Sequence, residues 1–240
     1  MLRLSYINLS FLTIGNYAEL FSAIKRNLTM PNIHLSKMTG KLDGLHAIST
    51  NTITNEFCQK MNASKKDNHI CRICYSNQML KSYRKNMQPA LQRNSDALSE
   101  SILDDNDIPF YIHAFMRLNA HGELINNTHF INIINIALKN PHCKFALWSK
   151  RNSIVNAVVK LGYEIPANLI LVYSNLTINK VMYQPPKHFH KVFNNVEHDH
   201  KTNEQNCTGQ KCVTCMLCYN HNDTSVIIEA TKLNGRTIKK

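Results

Sequence analysis

Residues 143–175, CKFALWSKRNSIVNAVVKLGYEIPANLILVYSN, decide the fold. Cys143 to Trp148 is a continuous apolar run of strand length. Ser153 to Leu161 follows with helical character, and NLILVYSN (168–175) is a second apolar, β-branched run. Strand, helix and strand joined by short loops form a βαβ unit, whose crossover makes the two strands parallel.

The same alternation extends upstream. Asn127 to Lys139 (THFINIINIALK at its centre) reads as a helix. PFYIHAFM (109–116) reads as a buried strand ending at Arg117, followed by a loop, Ala120-His121-Gly122-Glu123. Asp104 to Pro109 is a turn, and roughly Asn77 to Leu103 a long helical stretch. GLHAISTNTIT, ending at Thr54, reads as a strand running towards Cys58, with a cysteine loop from Phe57 to Tyr75. NYAELFSAIKRNL near the amino terminus is helical in places and carries no chemistry. After about Thr177 the pattern breaks. QPPKHFHKVFNNVEHDHKTNEQ is polar and His-rich and reads as a connector, and SVIIEATK is a last strand. The fold class is α/β, a parallel sheet or partial barrel with its helices outside. In such folds sites lie at the carboxyl ends of the strands. Three loops fall there: Cys58–Cys74, Gly122-Glu123 and Ser149-Lys150.

Seven of the eight cysteines fall into two groups. Cys58, Cys71 and Cys74 form one; Cys207, Cys212, Cys215 and Cys218 form the other. Cysteines two residues apart can turn both sulfurs onto one metal. Four thiolates close a coordination shell, whereas three leave an open position where a metal centre can react. A disulfide framework suits a shorter secreted chain, and Cys143, inside CKFALW, suits a buried core thiol. His188, His190, His198 and His200 stand in H-F-H and H-D-H pairs beside the second group, which already has a full set of sulfur ligands. His113, within an apolar run, reads as a hydrogen-bonded core histidine.

A chain of 240 residues with 43% hydrophobic content buries a full core. Only 7 Gly and 7 Pro exclude a low-complexity protein. No apolar run reaches the roughly 18–20 residues of a membrane span. The start, MLRLSYINLSFLTIGNYAELF, lacks a clean apolar core and carries Glu19, so a cytoplasmic protein is expected. A net charge of +12 permits a nucleic-acid partner. The N-x-S/T sequons of this Asn-rich chain are read as compositional accidents.

These residues together resemble the phage gene product eighty-eight domain family, whose members look like reduced radical S-adenosylmethionine (SAM) enzymes. Lys41-Leu42 and a strand lead into the lone Cys58. Cys71-x-x-Cys74-Tyr75 is similar to the family's C-x-x-C-Y-A element, with Ser76 for alanine. A helix with Arg93-Asn94 follows, then FYIHAF leading to Gly122-Glu123. CKFALW ends in Ser149-Lys150-Arg151, like the family's aromatic–Thr–Lys/Arg element. The resemblance spans roughly Lys37 to Lys232.

The resemblance implies a half barrel of the radical-SAM type with a Cys-rich C-terminal appendage. It implies a [4Fe–4S] cluster on Cys58, Cys71 and Cys74, with SAM on the open iron. Reduction would cleave SAM to a 5′-deoxyadenosyl radical, and the protein would hold and shield that chemistry. Gly122 and Glu123 would meet the SAM methionine, although His121 replaces the first glycine of the usual element. Ile73 would pack near the adenine, and Lys150, with Arg151, would contact cofactor or substrate. Read without the resemblance, Glu123 is a solvated loop carboxylate, and Lys150 and Arg151 are surface charges at a helix start. Twelve residues separate Cys58 from Cys71, against three in the usual loop, but loop closure costs only about 0.6 kcal/mol per doubling of length.

The expected organisation is an N-terminal extension (1–36), a partial barrel (37–178), and a connector with a four-Cys segment and closing strand (179–240). The expected function is an iron–sulfur protein resembling a radical SAM enzyme, with an unknown substrate and an electron donor. Its second cysteine set would hold another [4Fe–4S] cluster or a structural zinc. The alternative is a non-catalytic zinc module in which Cys71, Cys74, Cys215 and Cys218 share one Zn²⁺ and the positive charge meets nucleic acid.

Overall fold

The structure, a computed structural model, describes residues 33–66, 68–197, 200 and 204–231. The chain divides into residues 1–32 and 33–240, so all described residues belong to the second unit. The helical reading of NYAELFSAIKRNL lies outside them.

One sheet organises this unit. Its strands are β1 (Leu35–Lys37), β2 (His46–Ile48), β3 (Phe115–Leu118), β4 (Lys144–Ser149), β5 (Leu169–Ser174), β6 (Lys191–Glu197) and β7 (Val226–Thr231). Their spatial order is their chain order. β1 pairs antiparallel with β2, and every later pairing is parallel. Among the described residues the α-helical segments are α1 (Glu56–Asn62), α2 (Tyr75–Lys81), α3 (Gln88–Ser99), α4 (Asn127–Lys139), α5 (Asn152–Lys160) and α6 (Cys212–Cys215). A parallel sheet whose order never reverses is singly wound. Right-handed crossovers then place successive helices on the same face.

The two faces are filled differently. Met116, Leu118, Phe145, Leu147, Leu169 and Leu171 point to the helix face, where they meet Phe130, Ile134, Val155 and Val158. Their strand neighbours Ala146, Trp148, Ile170 and Val172 point the other way. That face is covered not by α1–α5 but by the C-terminal cysteine segment with its single turn α6, through Tyr219, Met216, Cys212 and Cys218. The segment expected as an appendage therefore packs directly on one face of the sheet.

Four local expectations need correcting. Cys58 lies on a helix, α1, rather than in a loop, because Asn55 caps that helix by accepting the Cys58 N–H (3.1 Å). The stretch read as one helix from Asn77 to Leu103 is two, α2 and α3. Pro89 lies at the start of α3, where its missing N–H is harmless, and a helix continuing through it would lose a bond there. The strand read from Pro109 begins only at Phe115, where Lys144 offers a partner. Phe110 and Ile112 stay exposed at 66% and 86%. The stretch read as a connector contains β6, inserted between β5 and β7, with Lys191 buried and donating to the Thr224 carbonyl and Asn222. His113 stacks on His46 with ring centres 4.0 Å apart.

Candidate metal centre

The loops at the carboxyl ends of β2, β3 and β4 are locked together by buried polar groups. The Thr50 N–H donates to the His121 carbonyl (3.2 Å), and the His121 N–H to Ser49 Oγ (3.2 Å). The Gly122 N–H donates to Thr52 Oγ1 (2.8 Å). Thr52 bonds Ser76 (2.6 Å), whose hydroxyl meets His121 Nδ1 (2.8 Å). Gly122 sits at φ +79°, and a Cβ there would lie 2.1 Å from Thr50 Oγ1 and 2.7 Å from the Thr50 carbonyl oxygen. Gly122→Ala is therefore expected to destabilise the fold by about 2–5 kcal/mol, from left-handed strain plus overpacking. Chemical denaturation measures this, and a loss within experimental error would mean the two loops separate freely.

Glu123 is buried, not solvated, with 3% of its surface exposed. Its Oε1 accepts from the Leu124 N–H (2.8 Å) and Ser149 Oγ (2.6 Å), and its Oε2 from the Lys150 N–H (2.8 Å). The carboxylate thus clamps the β3 loop to the end of β4. A carboxylate offers about four acceptor sites, so one remains on Oε2.

Cys58, Cys71 and Cys74 lie within electrostatic reach of Lys150. The Lys150 amine donates to Ser174 Oγ (3.0 Å). Burial alone would lower its pKa, but Cys71, Glu123, Cys74 and Cys58 together hold it above the ordinary lysine range. Conversely, burial pushes the Cys58 thiol up, with Glu123 and Cys74 adding and Lys150 opposing. Burial likewise raises Cys71 against the pull of Lys150. The long Cys58–Cys71 separation is closed by asparagine: Asn62 at the end of α1 donates to the Cys71 carbonyl (2.7 Å), and Asn77 donates to Asn62 (2.8 Å). On its far side the cysteine turn is tied to the loop after β5, since the Ile70 N–H donates to the Leu176 carbonyl (2.9 Å). Ile73 closes this turn, half-buried, just before Cys74. Tyr75 follows it and donates to the Ala120 carbonyl. Tyr75 is 57% exposed.

The second set lies over the other face of the sheet, and its neighbours reach the amino ends of β2 and β4. Lys211 approaches Asp43 (3.6 Å) before β2, Lys144 at the start of β4 donates to Asn220 (2.7 Å), and Gly44 faces Val213. Cys207, Cys215, Cys212 and Cys218 influence one another electrostatically. Burial raises Cys218 to about 12, with Arg117 opposing. Cys212–Cys215 is one helical turn, followed by Met216 in the left-handed region (φ 54°) and then Cys218. Gln210 donates to Cys215 Sγ (3.4 Å). Among the described residues, no group of three or more His, Cys, Asp or Glu side chains is placed to hold a metal ion.

A family model described as Gene product 88 matches residues 20–234. The chain belongs to the phage gene product 88 family. No curated protein and no solved structure matches it.

Within this gene product 88 chain, the remaining sequence candidates take structural places. Arg151 stacks on Phe57 (4.8 Å) and donates to the Leu124 carbonyl (3.3 Å), beside a cleft of about 610 Å³ that also takes in Lys60 and Asp96. His190 Nδ1 accepts the Leu171 N–H (2.9 Å) and its ring meets His221 edge-on. His188 holds a left-handed turn, and His198 lies outside the described residues. Cys143 is fully buried in the helix-face core. Arg117 and the asparagines were missed as site residues. Arg117 sits alone in an apolar strand, which could have marked it, whereas nothing local distinguishes Asn62 or Asn77. No helix of the described residues is long and apolar enough to cross a membrane.

Proposed function

We propose that this chain is an iron–sulfur protein whose Cys58, Cys71 and Cys74 hold a [4Fe–4S] cluster with one iron open to SAM. It is built on the partial-barrel arrangement of radical SAM enzymes. The carrying observation is Lys150, an ammonium within electrostatic reach of Cys71, Glu123, Cys74 and Cys58. Neutral thiols do not offset a desolvated cation; thiolates do. A bound cluster requires those thiols deprotonated, and Lys150 then balances their charge. The singly wound strand order and the three loops meeting at the carboxyl ends support the same reading.

When bound, the cluster with SAM supplies one-electron reductive cleavage of the cofactor. The chain's own residues position and shield. Asn55 and Asn62 bring Cys58 to its partners, Gly122 lets two loops meet, and Glu123 fixes Ser149 and the Lys150 backbone. The free acceptor site on Glu123 suits an ammonium. The Cys207–Cys218 set would carry a structural zinc or second cluster pinning the C-terminal segment to the sheet. The chemistry needs an electron donor, and a host cytoplasm provides a reducing setting. A second reading, a zinc module contacting nucleic acid, draws on the +12 charge. One cysteine set at the strand ends and the other over the sheet face weigh against one shared ion.

Anaerobic reconstitution with iron and sulfide tests this. Brown protein with about four irons and four sulfides at the three-cysteine site is expected, lost in Cys58→Ser. SAM should change the electron paramagnetic resonance of the reduced cluster, and dithionite should then yield 5′-deoxyadenosine. Colourless protein with stoichiometric zinc and no SAM binding would overturn the reading. A cluster indifferent to SAM would remove the SAM chemistry and leave the iron.

A further inference from the structure

Charge is segregated along the chain beside the three-cysteine site. Residues 68–95 carry five cations, Arg72, Lys81, Arg84, Lys85 and Arg93, and no acid. Residues 96–107 carry five acids and no cation. The acidic turn is paired through Asp105 with Lys139, at the end of α4 (3.2 Å). The basic stretch runs from the cysteine turn through α2 into α3. There Asn94 donates to the Ser49 carbonyl (2.8 Å) and Ser95 accepts the Asn51 N–H (2.9 Å), just past the carboxyl end of β2. Lys81 and Lys85 are exposed, and among the described residues no carboxylate pairs with either of them or with Arg84.

Two aromatic rings stand open in the same stretch. Tyr83 is 74% exposed and Tyr75 57%. Both are held by polar contacts. The Tyr75 hydroxyl donates to the Ala120 carbonyl. The turn carrying Tyr83 is closed by the Ser82 and Arg84 N–H groups, which both donate to the Met79 carbonyl (3.2 and 2.9 Å). Gln88 braces it by donating to the Leu80 carbonyl (2.7 Å). The Arg84 guanidinium lies 6.0 Å from the Tyr83 ring centre. Helix α2 starts at Tyr75 and ends two residues before Tyr83, a span of about 10 Å.

One exposed tyrosine is ordinary. Two fixed rings among cations without carboxylate partners fit a polyanion that has flat faces, with phosphates on the cations and bases stacked on the rings. A duplex keeps its base faces stacked on one another, and an acidic peptide offers the rings nothing to stack. We propose that Tyr75, Tyr83, Lys81, Arg84 and Lys85 form a docking surface for single-stranded nucleic acid at the edge of the three-cysteine site. Binding there needs no cluster, so it stands apart from the iron–sulfur reading.

Reduced, metal-free full-length protein is titrated into fluorescein-labelled oligothymidine and followed by anisotropy. The single strand should bind more tightly than a duplex of the same length. Tyr83→Ala should weaken binding about 5–150-fold, the range for one lost stacked base, and Tyr83→Phe should keep it. Lys81→Ala with Lys85→Ala should flatten the slope of log affinity against log salt by about 1.4, since each phosphate contact on a single strand contributes about 0.7. All three side chains are exposed, so these variants are expected to fold. Parent-like binding by Tyr83→Ala, a phenylalanine variant as weak as the alanine one, or a duplex held as tightly as the strand would overturn the stacking surface. Lys160 and Lys187 are exposed cations on other elements. An equal flattening in Lys160→Ala with Lys187→Ala would mean that net charge alone holds the strand, and would overturn it too. Oligothymidine left unbound while phosphatidylserine vesicles or polyglutamate are held would give the patch to another polyanion. Iron and sulfide content decides the cluster separately, so either reading can fail visibly without the other.

Discussion

Replacing Glu123 by alanine is expected to cost the fold about 3–6 kcal/mol. The carboxylate accepts from Leu124, Ser149 and Lys150, all within 2.8 Å. Hydrogen bonds to a charged group contribute about 1.5–3 kcal/mol each, and donors left buried without an acceptor cost about 1–3 kcal/mol each. The three bonds share one group, so their losses do not simply add. Glu123→Gln keeps an acceptor oxygen and should lose less. Urea denaturation of the metal-free protein measures both variants. A carboxylate whose only role was to meet a SAM ammonium would leave stability unchanged on truncation. An alanine variant as stable as the parent would therefore refute the clamp and return Glu123 to a ligand role alone.

Acid should unfold this protein well before its carboxylates are protonated. His129 is buried in α4, accepts the Ile125 N–H (3.2 Å), and is pushed by burial to about 3. Burial lowers His121 to about 4, with Arg84 and Arg117 adding. Both are neutral in the folded state down to those values, whereas in the unfolded chain they titrate near 6.5. Above about pH 6.5 neither state binds the proton and stability is flat. As pH falls below that, the unfolded chain takes up protons and the folded one does not. Each histidine then removes about 1.4 kcal/mol per pH unit. Two together remove about 3–4 kcal/mol by about pH 5, a large part of a typical 5–15 kcal/mol. His190, partly exposed, acts in the same direction, lowered by burial to about 4. Denaturation midpoints from about pH 7.5 down to 5 should fall steeply. The His121→Asn, His129→Asn double variant, which keeps an acceptor at each place, should flatten the fall. A parent profile already flat over this range would show that water reaches both rings.

Periodicity made the 143–175 unit readable because strands β4 and β5 each bury an uninterrupted apolar run and helix α5 buries Ile154, Val155 and Val158 at helical spacing, patterns that hold whatever packs on them. The parallel relation followed, since a helix between two strands leaves few other connections. The strand read after Thr177 as a connector shows the limit. KVFNNVE carries Asn194 and Asn195 where an apolar run was sought. Both are buried, and Asn194 is held by Met182, Ile227 and Asn175. Side-chain amides satisfied by distant backbone look like loop residues until the partner is in place. The same holds for Asn62, Asn77, Asn132 and Asn140, whose abundance reads as composition but which staple loops across the molecule.

The cysteine spacing was enough to set apart two groups and to separate them from the core thiol Cys143, because sulfur chemistry depends on local steps of two or three residues. The strand–helix alternation placed Glu123 and Lys150 at strand ends. What those residues do could not be read there. Glu123 lies 27 residues before Lys150, and only the parallel pairing of β3 with β4 puts its carboxylate on that backbone. Arg117 gains its place over Trp148, 3.6 Å from the ring centre, because neighbouring strands send alternate side chains to one face, and the C-terminal segment arrives there from about 100 residues away in the chain. Local propensity acts over a turn or a strand. Charge compensation and loop locking act between residues that only the sheet brings together.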